Sequence, residues 1–112
     1  MISYEAIGQE CVTFHTNTVL TAGTPCKMGY NDAVIKAQKD DAFFGIVVSQ
    51  REMLVNVAVR GFVTVKYSGT APSVGRVGLC AAGDGSVTAS ESAPMYQVVN
   101  VDVVNKSITF LL

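Results

Sequence analysis

From Leu54 to Tyr67 the chain reads LVNVAVRGFVTVKY, and Val55, Val57, Val59, Val63, Val65 and Tyr67 fall on one face at period two. Asn56, Ala58, Arg60, Phe62, Thr64 and Lys66 take the other face, which is the alternation of a strand with one side in a core. Fourteen residues is long for one strand, and Gly61 sits in the middle of the run. The spacing predicts a bulge or sharp bend at Gly61 that lets one run serve two halves of a barrel. Phe43 to Ser49 (FFGIVVS) is apolar on both faces and predicts a central, buried strand. Gln97 to Val104 alternates again, with Val99, Val101 and Val103 opposed to Val98, Asn100, Asp102 and Val104.

Shorter runs fill the remainder. Cys11 to His15 predicts a strand with Cys11, Thr13 and His15 on one face and Val12 and Phe14 on the other. Pro25 lacks an N–H and is placed at the start of a strand running through Met28. Gly29-Tyr30-Asn31-Asp32 reads as a tight turn. For 32–42 two readings stay open: a return strand over Ala33 to Ala37, or a helix from Ala33 towards Ala42 with Asp32 as its N-cap. Ser68 to Ser73 is a loop, Val74 to Ala81 a strand, and Ala82-Gly83-Asp84-Gly85 a turn with Asp-Gly hairpin chemistry. Asn105-Lys106 turns the chain into a last strand, Ile108 to Leu112. Residues 1–9 (MISYEAIGQ) have no clear period, so residues 1–10 are expected to form an N-terminal arm and 11–112 a single domain. The expectation is an all-β, small single-domain β-barrel of about seven to nine short strands, with little or no helix.

Composition agrees. Eighteen Val stand against five Leu, and Val, Ile and Thr together contribute thirty-two of the 112 residues. β-Branched side chains are stiff at χ1 and suit a pleated surface better than a helix. Charged residues make up only 15% and hydrophobic ones 49%, the balance of a folded chain and not of a disordered one. A net charge of −1 offers no basic field for nucleic acid or anionic lipid. The apolar runs are too short for a transmembrane helix or a signal peptide. Three well-separated cysteines, an odd number, fit a reducing compartment rather than a disulfide framework.

Candidate chemistry is sparse. Cys11, His15, Cys26 and Cys80 could compose a Cys3His zinc site on paper, but the chain lacks the close cysteine pairs of such sites, so free thiols are expected. As a nucleophile–base pair, Cys11 and His15 are too distant, two pleats apart along one strand face. Asp40-Asp41 lacks the calcium-loop pattern and reads as a solvated turn. Gly83-Asp84-Gly85 lacks the Lys and the helix of a phosphate loop. Arg60, Phe62 and Lys66 share a face with Thr64, the one hint of an oligonucleotide-binding surface. No catalytic, cofactor-binding or metal-binding residue is expected, and no enzyme activity.

Gly23-Thr24-Pro25-Cys26-Lys27-Met28 with Asn31-Asp32-Ala33-Val34 is followed by Phe43-Phe44-Gly45-Ile46-Val47-Val48-Ser49, then by Val55-Asn56-Val57-Ala58-Val59-Arg60-Gly61-Phe62-Val63-Thr64-Val65. This order, ending on a Val-rich hairpin, resembles the small capsid decoration (cement) proteins of tailed phages and prophages over roughly residues 21–112. The resemblance implies a β-tulip-like barrel that assembles as a homo-oligomer, often a trimer, on the outer surface of the virion's capsid. It further implies a structural role without catalysis, cofactor, nucleic acid or membrane. Its partner would be the major capsid protein, of the HK97-like fold, whose subunits it would bridge after shell expansion. Family arms commonly touch the shell, which makes Ile2, Tyr4 and Ile7 the expected capsid contacts. The alternatives are another virion component at the head–tail junction or tail, and a small ligand- or nucleic-acid-binding barrel.

Overall fold

A computed structural model describes residues 9–112 of the chain. The described residues form ten strands and no helix: β1 (Glu10–His15), β2 (Pro25–Tyr30), β3 (Ala33–Lys36), β4 (Gly45–Arg51), β5 (Leu54–Arg60), β6 (Phe62–Lys66), β7 (Gly75–Ala81), β8 (Val87–Ala89), β9 (Met95–Asp102) and β10 (Ser107–Leu111). Among them no helix is long and apolar enough to cross a membrane. The strands make an all-β fold in two parts. The first five close into a barrel in the order β1-β3-β2-β4-β5, and the last five make a sheet in the order β6-β10-β9-β7-β8. Tyr67, just past β6, bridges Val87 of β8 in parallel, which draws the two edges of the second sheet together at one end.

The alternation in β4 and β5 explains how the parts are joined. Val47, Val55 and Val57 point into the barrel, where they pack with Leu20, Cys26 and Val34. Ile46 and Ala58, one residue out of phase, point the opposite way and belong to a second core with Val63, Val65, Leu79, Val87, Val98, Ile108 and Phe110. Of the apolar run at Phe43 to Ser49, the part through Val47 is thus a wall shared by two cores. The strand starts only at Gly45, and Val48 and Ser49 are exposed. Phe43, Tyr96 and Phe110 pack as an aromatic trio within the second core, with centroids 5.2–6.1 Å apart. Tyr96 also donates its hydroxyl to the Phe43 carbonyl at 3.1 Å, and burial raises its phenol pKa.

Gly61 stands where the Leu54–Tyr67 run passes from barrel to second sheet, with φ of +103°, a value that L side chains rarely adopt. The run keeps one face inward throughout, towards the barrel before Gly61 and towards the second core after it.

Several local expectations need correction. β2 runs through Tyr30, and only Asn31 and Asp32 form the turn. Asp32 has φ of +60°, which is wrong for an N-cap, and β3 forms in place of the helix. β9 ends at Asp102, leaving Val103 and Val104 in a turn. Its pairing with β10 shifts register between Thr109 and Phe110, so that Val98 and Val101 both face the core although the simple alternation sets them on opposite faces. The tenth strand beyond the expected range comes from short β8 and from the division of the long run at Gly61.

Candidate interaction surface

The expected capsid-contact residues Ile2, Tyr4 and Ile7 lie outside the described residues. The other candidates are dispersed. Cys11 is exposed on β1, whereas Cys26 and Cys80 are buried, and no group of three His, Cys, Asp or Glu among the described residues could hold a metal ion. Cys26 sits in the barrel core with its thiol 3.5 Å from the Gly45 carbonyl, and burial pushes its pKa up to about 12. Desolvation, then the Asp40 charge, raises the Cys80 thiol.

Asp41 has a structural job. Its carboxylate accepts from Lys27 Nζ and, at 2.9 Å, from the Gln38 N–H, and these bonds hold its pKa below the usual carboxylate value. The loop around it docks on β7 through Asp40 N–H to the Ala81 carbonyl and Ala81 N–H to the Asp41 carbonyl. Asp84 is likewise turned onto its own loop, where Ser86 donates both Oγ–H and, at 3.1 Å, N–H; the hydroxyl bond is the larger cause of its lowered pKa. Phe62, Thr64 and Lys66 keep a common face on β6, but Arg60 lies beyond the Gly61 break on β5.

The feature that stands out is apolar surface fixed in water. Val19 is 88% exposed, Val104 87% and Val103 64%, among the most exposed large hydrophobic side chains described. Each is held there by a polar side chain placed beside it. Gln50 reaches across from β4 to accept the Leu20 N–H on Oε1 (2.6 Å) and to donate Nε2–H to the Thr18 carbonyl (2.9 Å), clamping the backbone on both sides of Val19. Asp102 Oδ1 accepts the N–H groups of Val104 (3.1 Å) and Asn105 (3.2 Å), while Oδ2 accepts Asn105 Nδ2–H (2.8 Å). These bonds, Asn105's side chain first, lower the Asp102 pKa. Lys66 Nζ adds a bond to the Asn105 carbonyl at 2.9 Å.

The two clamped segments border one cleft of about 740 Å³, with Val19 on one rim, Asn105 on another and the outer edge of β6 between them. Sequence reasoning missed this surface. Val103 and Val104 pass for strand alternation, and Val19 sits in a polar stretch. The available signal was Asp102 three residues before Asn105, the spacing of an aspartate that ties a turn to itself. Comparison with family models, with curated proteins and with solved structures returns no match.

Proposed function

We propose that this protein is a phage capsid decoration protein, a non-enzymatic binder of the outside of the expanded head that bridges neighbouring major capsid subunits. The observation that carries this reading is the exposure of Val19, Val103 and Val104 on clamped backbone of a double-cored barrel. Where the backbone under exposed apolar side chains is already held, a partner that covers them has less left to order, so binding keeps more of its burial energy. Each side chain covered contributes about 1–2 kcal/mol, below the ceiling for full burial. Repetition over a shell turns such modest contacts into strong overall attachment. The low net charge limits repulsion between crowded copies. The order of motifs that resembles the decoration proteins supplies the partner. The segment carrying Ile2, Tyr4 and Ile7 is the second proposed point of attachment.

The test is to mix the full chain with undecorated, expanded shells assembled from an HK97-like major capsid protein. Electron microscopy should find copies spread over the shell, and decorated shells should survive a higher temperature. A Val19→Ser/Val104→Ser double variant and a chain lacking residues 1–9 should each stay folded and bind at least tenfold more weakly. Copies confined to one vertex would favour a head–tail component, and failure of the full chain to bind would overturn the reading.

A further inference from the structure

β1 pairs with β5 in an antiparallel ladder that runs from His15↔Leu54 to Glu10↔Arg60, where the bend at Gly61 begins. Beyond the bend, Tyr67 N–H donates to the Lys106 carbonyl and Leu112 N–H to the Gly61 carbonyl. Antiparallel ladders alternate, so Val63 and Val65 turn their main-chain groups to β10, while Phe62, Thr64 and Lys66 turn theirs away from it. Gln9, one residue ahead of β1, has already followed the bend: its Nε2–H donates to the Phe62 carbonyl at 3.1 Å. The ladder of β1 is thus aimed along β6, the edge strand of the second sheet among the described residues. Eight residues of the sequence, MISYEAIG, precede Gln9. Extended, they reach about 26 Å, more than the roughly 17 Å of the five-residue β6. Continuing the register of Glu10↔Arg60 sets Gly8 opposite Phe62, Ile7 opposite Val63, Ala6 opposite Thr64, Glu5 opposite Val65 and Tyr4 opposite Lys66. The surroundings match that order. Gln9, Ile46, Ala58 and Val63 line a hollow of about 440 Å³ at the level assigned to Ile7. Lys36 and Lys66 line the neighbouring cleft beside Val65, at the level assigned to Glu5, and no described carboxylate lies within ion-pair distance of either.

We propose that residues 4–8 of this chain are the outer strand of the second sheet, carrying the β1 ladder past Gly61 along β6. Main-chain bonds to Thr64 and Lys66 hold the strand, Ile7 fills the apolar hollow, and Glu5 answers the charge of Lys36 and Lys66. The pairing closes an edge of β-prone residues that otherwise invites other chains. It also makes β1 a second thread, beside the Leu54–Tyr67 run, that passes through both halves of the fold. The inference stands apart from the decoration reading. Where both hold, Ile7 belongs to the protein's own wall, and Ile2 and Tyr4 carry the segment's contact with the shell.

Residue-resolved hydrogen exchange on the free protein tests the pairing without any shell. The amides of Thr64 and Lys66 should exchange at least tenfold more slowly in the full chain than in a chain lacking residues 1–8. Those of Val63 and Val65, bonded to β10, should stay slow in both. Fast exchange at Thr64 in the full chain would overturn the proposal, and so would equally slow exchange in the shortened one, because something else would then cover the edge. A cross-link in the full chain decides the matter even if the shortened chain does not fold. Directly opposed residues of a bonded pair lie about 5.5 Å apart at Cα, a span that a disulfide bridges. In a Cys11→Ser background, where Cys26 and Cys80 are buried, Ala6→Cys with Thr64→Cys should oxidise to a bond within one chain. Ser3→Cys with Thr64→Cys should not. Absence of the first bond, equal formation of both, or a bond between two chains would each overturn the assignment of this strand to its own β6.

Discussion

At the scale of single residues, burial separates side chains that look alike in the sequence. Cys11 meets solvent, while Cys26 and Cys80 lie under the sheets. A thiol reagent should therefore modify one cysteine in the native protein and all three after unfolding; two or more fast thiols in the native state would contradict the packing. Cys26 carries a pH consequence as well. Its thiol ionises near 9.0 in an unfolded chain and at about 12 in the barrel, because burial disfavours the thiolate. The folded state then holds a proton that the unfolded state releases, so stability is intact below pH 9 and falls as pH rises from 9 towards 12. Unfolding in urea, followed from pH 8 to about 10.5, should show this decline, and Cys26→Ala should make it shallower. An unchanged slope in the variant would assign the alkaline loss to other groups. Asp41, Asp84 and Asp102 act in the opposite direction. Their folded pKa values are lowered, so what they contribute is present above the ordinary carboxylate range and lost below it.

At the scale of elements, turns and irregularities decide where a period-two pattern points. Gly61 re-aims an otherwise regular run from one core to the next. Gly61→Val should cost about 1–3 kcal/mol, because a β-branched side chain is forced into a φ that it resists. Chemical denaturation measures this, and a loss under about 0.5 kcal/mol, the range of ordinary surface changes, would show that the bend needs no glycine. Gly78 adds a different constraint, since a Cβ there would run into the Ser90 carbonyl oxygen. The bend at Gly61 was legible because a glycine interrupted an unbroken alternation. The two-sided burial at the start of β4 was legible because Ile46 and Val47 left no polar face, but it ends at Val47 and Val48 is exposed. The phase of β9 was not, because the irregularity opposite Thr109 and Phe110 leaves no mark in a stretch where valines occupy both faces. Nor was the three-residue β8, which owes its existence to pairing with β7 and the bridge at Tyr67 rather than to its own pattern. The Asp32 turn was ambiguous because aspartate serves both as an N-cap and in the left-handed region, and only the pairing of β2 with β3 chooses.

At the scale of the whole molecule, the proposed interaction surface escapes the sequence for a related reason. Val19 and the Val103–Val104 pair lie on distant segments, and what holds each in water is Gln50 or Asp102 fixing the backbone beneath it. The same long-range economy binds the two halves of the fold. β4 and β5 put Val47 and Val57 in the barrel core and Ile46 and Ala58 in the second core, so neither core keeps its wall if the other unfolds. The halves should therefore melt together, in one transition whose calorimetric and van't Hoff enthalpies agree. Ile46→Ala tests the coupling from the second core's side. It should remove about 2–5 kcal/mol, lower one common midpoint, and raise amide exchange in β3 and β10 alike. Two resolved transitions, or loss of protection in β10 with β3 unaffected, would mean that the barrel stands alone and the second sheet is an appendage. A single transition would mean that the two cores form one cooperative unit joined through the wall that β4 and β5 share.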